Sequence, residues 1–161
     1  MITVSLPPPV SANVYWRTRV IKGVAMTYVS AEAKAFKADV AHILRAAGCT
    51  KPIEGRVAVN MTLYPHRPLD WQKRQQKLGE AWDDGVRSID LDNAIKVTLD
   101  SLKGIAFIDD VWVREITASR AEPDSLGARV MVTIWPILAF ATQSTLDLPA
   151  QPVRIADPLD L

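Results

Sequence analysis

The sequence has one cysteine among 161 residues, and this shortage excludes an internal disulfide. Cys49 is therefore expected to be a buried structural thiol in a protein of a reducing compartment. No apolar run is long enough to span a membrane, and the opening segment MITVSLPPPV lacks the basic leader of a secretory signal. These absences predict a cytoplasmic protein with no membrane partner.

Motifs of the common nucleotide-binding and hydrolytic sites are also absent. The chain has no G-x-x-x-x-G-K-[ST] loop, no G-x-G-x-x-G, no G-x-S-x-G and no Cys/His spacing of a zinc site. His42 and His66 lie apart from the acid-rich part of the sequence and are expected to be packing or surface residues rather than ligands. Any chemistry has to come from carboxylates and lysines.

Charge is balanced overall but unevenly distributed. The formal net charge is +1, yet residues 1–56 contain eight Lys/Arg and three acids, whereas the remainder contains eleven and fifteen. A positive region beside an acid-rich one is typical of a phosphate-binding surface next to a cation site. Charge alone favours the simpler alternative, an ordinary solvated surface.

Length and hydrophobic patterning predict one core. A chain of 17.8 kDa with 48% apolar residues can bury such a core without disulfides or a structural metal. We expect an α/β (α+β) fold for residues 1–136, in which a mixed, curved β-sheet carries two main helices, followed by a C-terminal arm or tail at 137–161. A loop beginning at Ser11 is predicted to lead into an extended stretch that ends at Gly23. The other predicted strands are 2–6, one beginning after Gly55, 111–120 and 128–137, and the predicted helices are 30–47, with Ser30 as its N-cap, and 91–103.

The segment 66–88 interrupts this pattern. Its sequence predicts a short surface helix that Pro68 opens and Gly79 closes. A basic, glutamine-rich face favours contact with nucleic acid, but a solvated helix anchored by tryptophans explains the same residues. The residues concerned are Trp71, Lys73, Arg74 and Trp82.

The stretch RSIDLDNAIKVTLDSLKGIAFIDD concentrates acids around one lysine. Asp90 lies at the predicted helix start, where a carboxylate can cap a free backbone N–H. Asp92 is so close that the two carboxylates repel each other unless a cation lies between them. Lys96 and Asp100 follow Asp92 at four-residue steps, so an i,i+4 ion-pair ladder is one explanation of this face. It does not explain the Asp109–Asp110 pair.

A magnesium site explains both groups of acids. Mg²⁺ takes oxygen ligands, keeps several waters and uses one or two carboxylates together with substrate phosphate. If the loop after the helix brings Asp109–Asp110 to Asp90 and Asp92, the ion can polarise a phosphodiester and activate a water. Lys96 would then place a positive charge on the scissile phosphate or its transition state.

DLDNAIKVTLDSLKGIAFIDDVWV resembles the D-x-D-N-x-x-K-x-x-x-D-x-L, then D-D, signature of the RusA-type Holliday junction resolvases. These are small homodimeric Mg²⁺-dependent endonucleases of phages and prophages that act in DNA recombination and repair. LPPPVSANVYWR and YVSAEAKAF are similar to the opening and first helix of the family, and the resemblance spans residues 2–136 in the same element order.

The resemblance implies a RusA-like nuclease domain and assigns roles by position. It implies catalytic roles for Asp90, Asp92, Lys96 and Asp110, metal ligation by Asp90, Asp92, Asp109 and Asp110, and supporting roles for Asn93 and Asp100. Mg²⁺ is the implied cofactor, with Mn²⁺ as a substitute. The implied partners are a second copy of the chain and a four-way DNA junction cut by paired symmetric nicks, for which a C₂ dimer supplies two equivalent sites. Our own candidates for DNA backbone contacts are Arg17, Arg19, Lys22, Lys73 and Arg74.

Four features depart from the family pattern, one of which is a tail beyond Pro136 that is longer than expected. The basic residue expected just before the first aspartate is Arg87, three residues before it, and Trp112 replaces the glutamine expected after the double acid. The 66–88 segment is also longer than expected. Two alternatives stay open: a metal-dependent nuclease for other branched or flap DNA, and a non-catalytic DNA-binding module in which the acids form a structural ion-pair network.

Overall fold

A computed structural model describes residues 1–138, so the predicted tail lies almost wholly outside the described residues. The elements are β1 (Ile2–Leu6), α1 (Ala12–Tyr15), β2 (Trp16–Ile21), β3 (Val24–Val29), α2 (Ala31–Ala46), β4 (Val57–Tyr64), α3 (Trp71–Leu78), α4 (Leu91–Leu102), β5 (Val113–Arg120) and β6 (Arg129–Pro136), with 3₁₀ turns at Gly79–Asp83 and Asp110–Trp112. No helix among these residues is long and apolar enough to cross a membrane.

Four strands form the main sheet in the order β1-β6-β4-β5. β6 is antiparallel to both of its neighbours, whereas β5 runs parallel to β4. β4 and β6 are the two interior strands, and in β4 the side chains of Val57, Val59 and Met61 are almost inaccessible to solvent. Parallel and antiparallel pairing in one sheet confirms the predicted mixed α+β fold.

The two main helices are α2 and α4, as predicted, and they pack on each other and on the sheet. Ser30 caps α2 by accepting a hydrogen bond from the Ala33 backbone N–H at 3.1 Å, which confirms it as the N-cap. The buried face of each helix follows the apolar spacing in the sequence. It consists of Ala33, Phe36, Val40 and Leu44 in α2, and of Ala94, Val97, Thr98, Ser101 and Leu102 in α4.

The N-terminal segment differs from the prediction of a loop leading into one extended stretch. Residues 12–15 form a short helix after Ser11, and β2 and β3 then form an antiparallel hairpin of their own. Lys22 and Gly23, with φ of 49° and 79°, make the two-residue turn that joins the strands. The strand predicted to begin at 111 begins at Val113, because Asp110–Trp112 form a 3₁₀ turn first.

Tryptophans anchor the 66–88 segment, as predicted. The Trp82 side chain is 2% exposed and its indole N–H donates to Glu122 Oε1 at 2.7 Å. The ring centroids of Trp71 and Trp82 lie 6.2 Å apart, and the Arg67 guanidinium lies over Trp71. The helix begins at Trp71 rather than at Pro68, and Gly79 follows it with φ of 61°.

Two other predictions about single residues are confirmed. Cys49 is buried, its thiol lies 3.3 Å from the Ile105 carbonyl oxygen, and burial raises its pKa. His42 and His66 are both exposed surface residues.

Candidate active site

Asp90 occupies the N-cap position of α4, but its side chain does not cap the helix within the described part of the chain. The Ala94 backbone N–H donates to the Asp90 carbonyl at 2.9 Å, so the main chain alone begins the helix. The Asn93 amide lies 3.5 Å from Asp90 Oδ2. The carboxylate is therefore steered by Asn93, and it keeps oxygen lone pairs for a ligand at the positive end of the helix dipole.

A cleft of about 390 Å³ opens at this helix end. It is lined by Ser11, Asn13, Arg87, Ser88, Ile89, Asp90 and Asn93. One cation, one carboxylate and two amide side chains thus border the same space. Asp92 is exposed in the first turn of α4, immediately beside Asn93. This combination can hold an anion such as phosphate and a hard cation next to each other.

Lys96 is exposed and lies over an indole ring rather than against a carboxylate. Its Nζ is 4.8 Å from the ring centroid of Trp16, the first residue of β2. The ion-pair ladder considered from the sequence is not formed, because Asp100 pairs with Lys37 instead. The Lys96 ammonium group therefore lies near solvent, one turn beyond Asp92.

Asp100 ties α1 and α2 to α4. The buried Tyr15 hydroxyl donates to Asp100 Oδ2, and Lys37 Nζ lies 3.0 Å from the same oxygen. Burial, the hydrogen bond to Asp100 and the charge of that carboxylate together raise the pKa of Tyr15. Asp100 thereby fixes α1, which carries Asn13 into the cleft.

The second acid pair is held by Lys103, the residue that follows α4. Lys103 Nζ lies 2.8 Å from Asp109 Oδ2 and 3.2 Å from Asp110 Oδ1. Asp109 Oδ1 also accepts from the Val111 backbone N–H. Hydrogen bonding from Lys103 is the largest cause that lowers the pKa of Asp109 to about 2, and both aspartates raise the pKa of Lys103.

The expected four-carboxylate cluster is not assembled in this arrangement. Residues 1–138 contain no group of three or more His, Cys, Asp or Glu side chains close enough to hold a metal ion. α4 has 12 residues and rises about 18 Å, so contact with Lys103 keeps Asp109–Asp110 on its C-terminal half. Mg²⁺ needs only one or two carboxylates when substrate phosphate and water complete its ligands, and Asp90 and Asp92 are oxygen donors of that chemical type.

The predicted DNA-contacting residues fall on two exposed surfaces. Arg17, Arg19 and Lys22 lie on the β2–β3 hairpin, and Lys73 lies on α3. Arg74 is also on α3, but its Nε donates to Asp70 Oδ1 at 2.9 Å. The three cations of the hairpin form no salt bridge with residues 1–138, although the charge of Arg17 helps to lower the pKa of Glu32.

A comparison with models of known families identifies the family of this chain. The family model described as Endodeoxyribonuclease RusA covers residues 6–135. The chain belongs to the RusA family. This match includes every candidate catalytic residue and the cleft, and it confirms the resemblance seen in the sequence. No curated protein matches the chain. RusA-family proteins are endodeoxyribonucleases that act on branched DNA and generally depend on a metal.

Sequence reasoning missed two residues of the cleft in this RusA-family chain. Asn13 lies on α1, in a segment predicted as a loop, and nothing in the sequence pattern joins it to Asp90. Arg87 stands out in the sequence only as a displaced basic residue, yet it lines the cleft beside Asp90. Its position three residues before Asp90 is the available signal in the sequence.

Proposed function

We propose that this RusA-family protein is a Mg²⁺-dependent, structure-selective endodeoxyribonuclease that resolves four-way DNA junctions by paired symmetric nicks. The observation that carries the proposal is the uncapped Asp90 carboxylate at the N-terminus of α4, in a cleft that also contains Arg87 and Asn13. A structural N-cap would use that carboxylate on the helix itself, whereas here it is available to a ligand.

Asp90 and Asp92 would hold the ion, with Mn²⁺ able to replace Mg²⁺. When bound, the ion supplies a Lewis acid for the phosphodiester and lowers the pKa of the attacking water. Asn93 orients Asp90 through its side-chain amide, as partners of metal-binding carboxylates commonly do. Lys96, held over Trp16, is placed to move onto the scissile phosphate and to balance the charge of the transition state.

Arg87 and Asn13 are assigned to the substrate phosphates. Arg87 is an exposed guanidinium on the cleft wall, and a planar guanidinium suits two oxygens of a phosphate. Asn13 is an uncharged donor on the opposite chain segment. Together they hold the DNA backbone against the carboxylates without adding negative charge.

The roles proposed for Asp109 and Asp110 require them to exchange partners. Both contact Lys103, so they contribute to metal binding only after leaving that ammonium group. Asp110 is the more exposed of the two carboxylates and lacks the backbone hydrogen bond that fixes Asp109. It is therefore the acid that can turn toward the cleft at lower cost.

A homodimer is part of the proposal, because two cuts of like polarity at related points need two equivalent active sites. One chain provides a single cleft at the start of α4. The symmetric outcome therefore requires a second copy.

Cleavage of matched substrates tests the proposal. Purified protein is incubated with a synthetic four-way junction and with linear duplex, in Mg²⁺ or in EDTA. Wild type is expected to nick only the junction, symmetrically and only with Mg²⁺. Asp92→Asn should abolish cleavage but keep binding, whereas Asp39→Asn, which removes an exposed carboxylate from α2, should cut normally.

Other outcomes identify the alternatives. Mg²⁺-dependent cutting of flaps and four-way junctions at equal rates would reduce the proposal to a general branched-DNA nuclease. Binding without cleavage by wild type, together with a change only in the stability of Asp92→Asn, would leave a DNA-binding module.

A further inference from the structure

The β2–β3 arm, residues 16–29, is a two-stranded ribbon that the rest of residues 1–138 leaves uncovered. Every residue from Arg17 to Tyr28 is exposed, including Val20 at 69% and Met26 at 51%. A two-stranded ribbon is at best marginally stable by itself in water. Exposed apolar residues on both faces, in the part of the chain that the structure describes, indicate a surface that has a partner.

The charge of the arm indicates which kind of partner binds to it. Its fourteen residues include Arg17, Arg19 and Lys22 and no acid, in a chain whose net charge is only +1. An excess of cations on an exposed ribbon disfavours contact with the same ribbon of a second copy, because like charges would face each other. It favours a polyanion.

The two faces of the arm differ in chemistry. Residues paired across the strands share a face, so the register separates a basic face from a threonine face. The basic face consists of Arg17, Arg19, Ile21, Val24, Met26 and Tyr28, and the threonine face consists of Trp16, Thr18, Val20, Ala25, Thr27 and Val29. The Arg19 guanidinium lies 5.4 Å from the Tyr28 ring centroid, which helps to keep it on its face.

The base of the arm adjoins the candidate active site. Trp16, where β2 begins, lies under Lys96, and the preceding residue, Tyr15, is bonded to Asp100. Six residues of strand reach about 20 Å from that point, a distance of about six base pairs at 3.4 Å each. Arg17 and Arg19 are about 7 Å apart along the ribbon, equal to about two base-pair steps.

We propose that the basic face of the β2–β3 arm binds the duplex arm of the junction next to the cleavage site, over about six base pairs from the branch point. A two-stranded ribbon fits the major groove, where cationic side chains reach the flanking phosphates. This inference rests on the proposed junction substrate. The inference adds to that proposal the protein surface that binds the junction and the stretch of DNA that is bound.

Binding in EDTA tests the arm separately from cleavage. Junction affinity of wild type and of Arg17→Gln/Arg19→Gln is measured by fluorescence anisotropy between 50 and 200 mM salt, a range over which phosphate contacts dominate the salt dependence. The double variant should bind on the order of tenfold more weakly, and the slope of log affinity against log salt should fall by about 1.8. Arg45→Gln/Lys51→Gln, which removes the same charge from other exposed positions, should leave the slope unchanged.

Uncharged analogues of the DNA phosphates show where along the DNA the arm makes contact. Methylphosphonates placed within six base pairs of the branch should weaken binding by wild type but not by Arg17→Gln/Arg19→Gln, because the contact is already lost. Arg17→Lys/Arg19→Lys retains the charges and should keep most of the salt slope, which separates charge from folding of the arm. Light scattering reports whether any variant changes its oligomeric state.

Three results would overturn the inference: equal loss of affinity in the two Gln double variants, equal sensitivity of wild type and variant to the methylphosphonates, or conversion of a wild-type dimer to monomer by the arm substitutions. The last result would show that the arm contacts a second copy of the chain rather than DNA. If wild type binds through the arm but never cuts, the proposed nuclease function fails and the arm assignment stands. If the arm variant cuts junctions normally and its salt slope is unchanged, the arm assignment fails and the nuclease function stands.

Discussion

Removing the Tyr15 hydroxyl should loosen the attachment of α1 to α4. In Tyr15→Phe the ring stays in a site that is 0% exposed, so packing is preserved. Only the hydrogen bond to Asp100 is lost. Because α1 carries Asn13 into the cleft, the same change should weaken the geometry of the candidate active site.

The expected magnitude follows from the surroundings of Asp100. A hydrogen bond to a charged group contributes about 1.5–3 kcal/mol. The Asp100 side chain is 34% exposed and retains Lys37 at 3.0 Å, so water and Lys37 offset part of the loss. We expect Tyr15→Phe to lower the free energy of unfolding by about 1.5 kcal/mol, and the melting temperature of a chain of this size by about 3–6 °C.

Chemical and thermal unfolding measure this difference, and Tyr28→Phe is the matched control. It deletes the same atom from an exposed tyrosine and should stay within about 0.5 kcal/mol of wild type. If Tyr15→Phe is no less stable than Tyr28→Phe, the hydrogen bond to Asp100 does not hold α1 in place and the reasoning is wrong.

Two further predictions concern α4 and the loop that follows it. Thr98 is buried and its hydroxyl has no hydrogen-bond partner among residues 1–138, so Thr98→Val should raise the free energy of unfolding by about 1 kcal/mol, measured by urea denaturation. Hydrogen bonding from Lys103, together with smaller effects of the Val111 N–H and Asp110, lowers the pKa of Asp109 from 3.8 to about 2, so this stabilisation is present above about pH 4 and is lost as the pH falls toward 2. In Lys103→Met the Asp109 pKa should rise toward its ordinary value, as followed by NMR of the carboxyl carbon.

A specific result would contradict each of these two predictions. A destabilised Thr98→Val would show that the hydroxyl has a partner, such as a buried water, that the helix needs. An Asp109 titration that is unchanged in Lys103→Met would show that the Val111 N–H, rather than Lys103, controls the carboxylate.

Local patterning predicts α4 well. Its buried positions recur at helical spacing, Asp90 precedes it and Gly104, with φ of 78°, follows it. These signals are contained in one short segment, so they require no knowledge of the rest of the chain. The same is true of α2, whose cap and apolar face are equally local.

Contacts between distant segments are not predictable in this way. Lys96 has acids at i−4 and i+4, which favour a ladder on the helix surface, but Trp16 and Lys37 come from other elements and take Lys96 and Asp100 as partners. The two acid pairs, Asp90/Asp92 and Asp109/Asp110, do not come together, and the reason is the same. Lys103, a cation beside the second pair, satisfies it locally.

The indole of Trp82 has a consequence for how this enzyme can vary in length. Because it is buried and donates to Glu122 in the connection between β5 and β6, it joins the 66–88 segment to that connection. Shortening that segment would leave a tryptophan-sized cavity. It would also leave the Glu122 carboxylate, in a different loop, without its hydrogen-bond donor. Chains that trim it are therefore expected to change both places together.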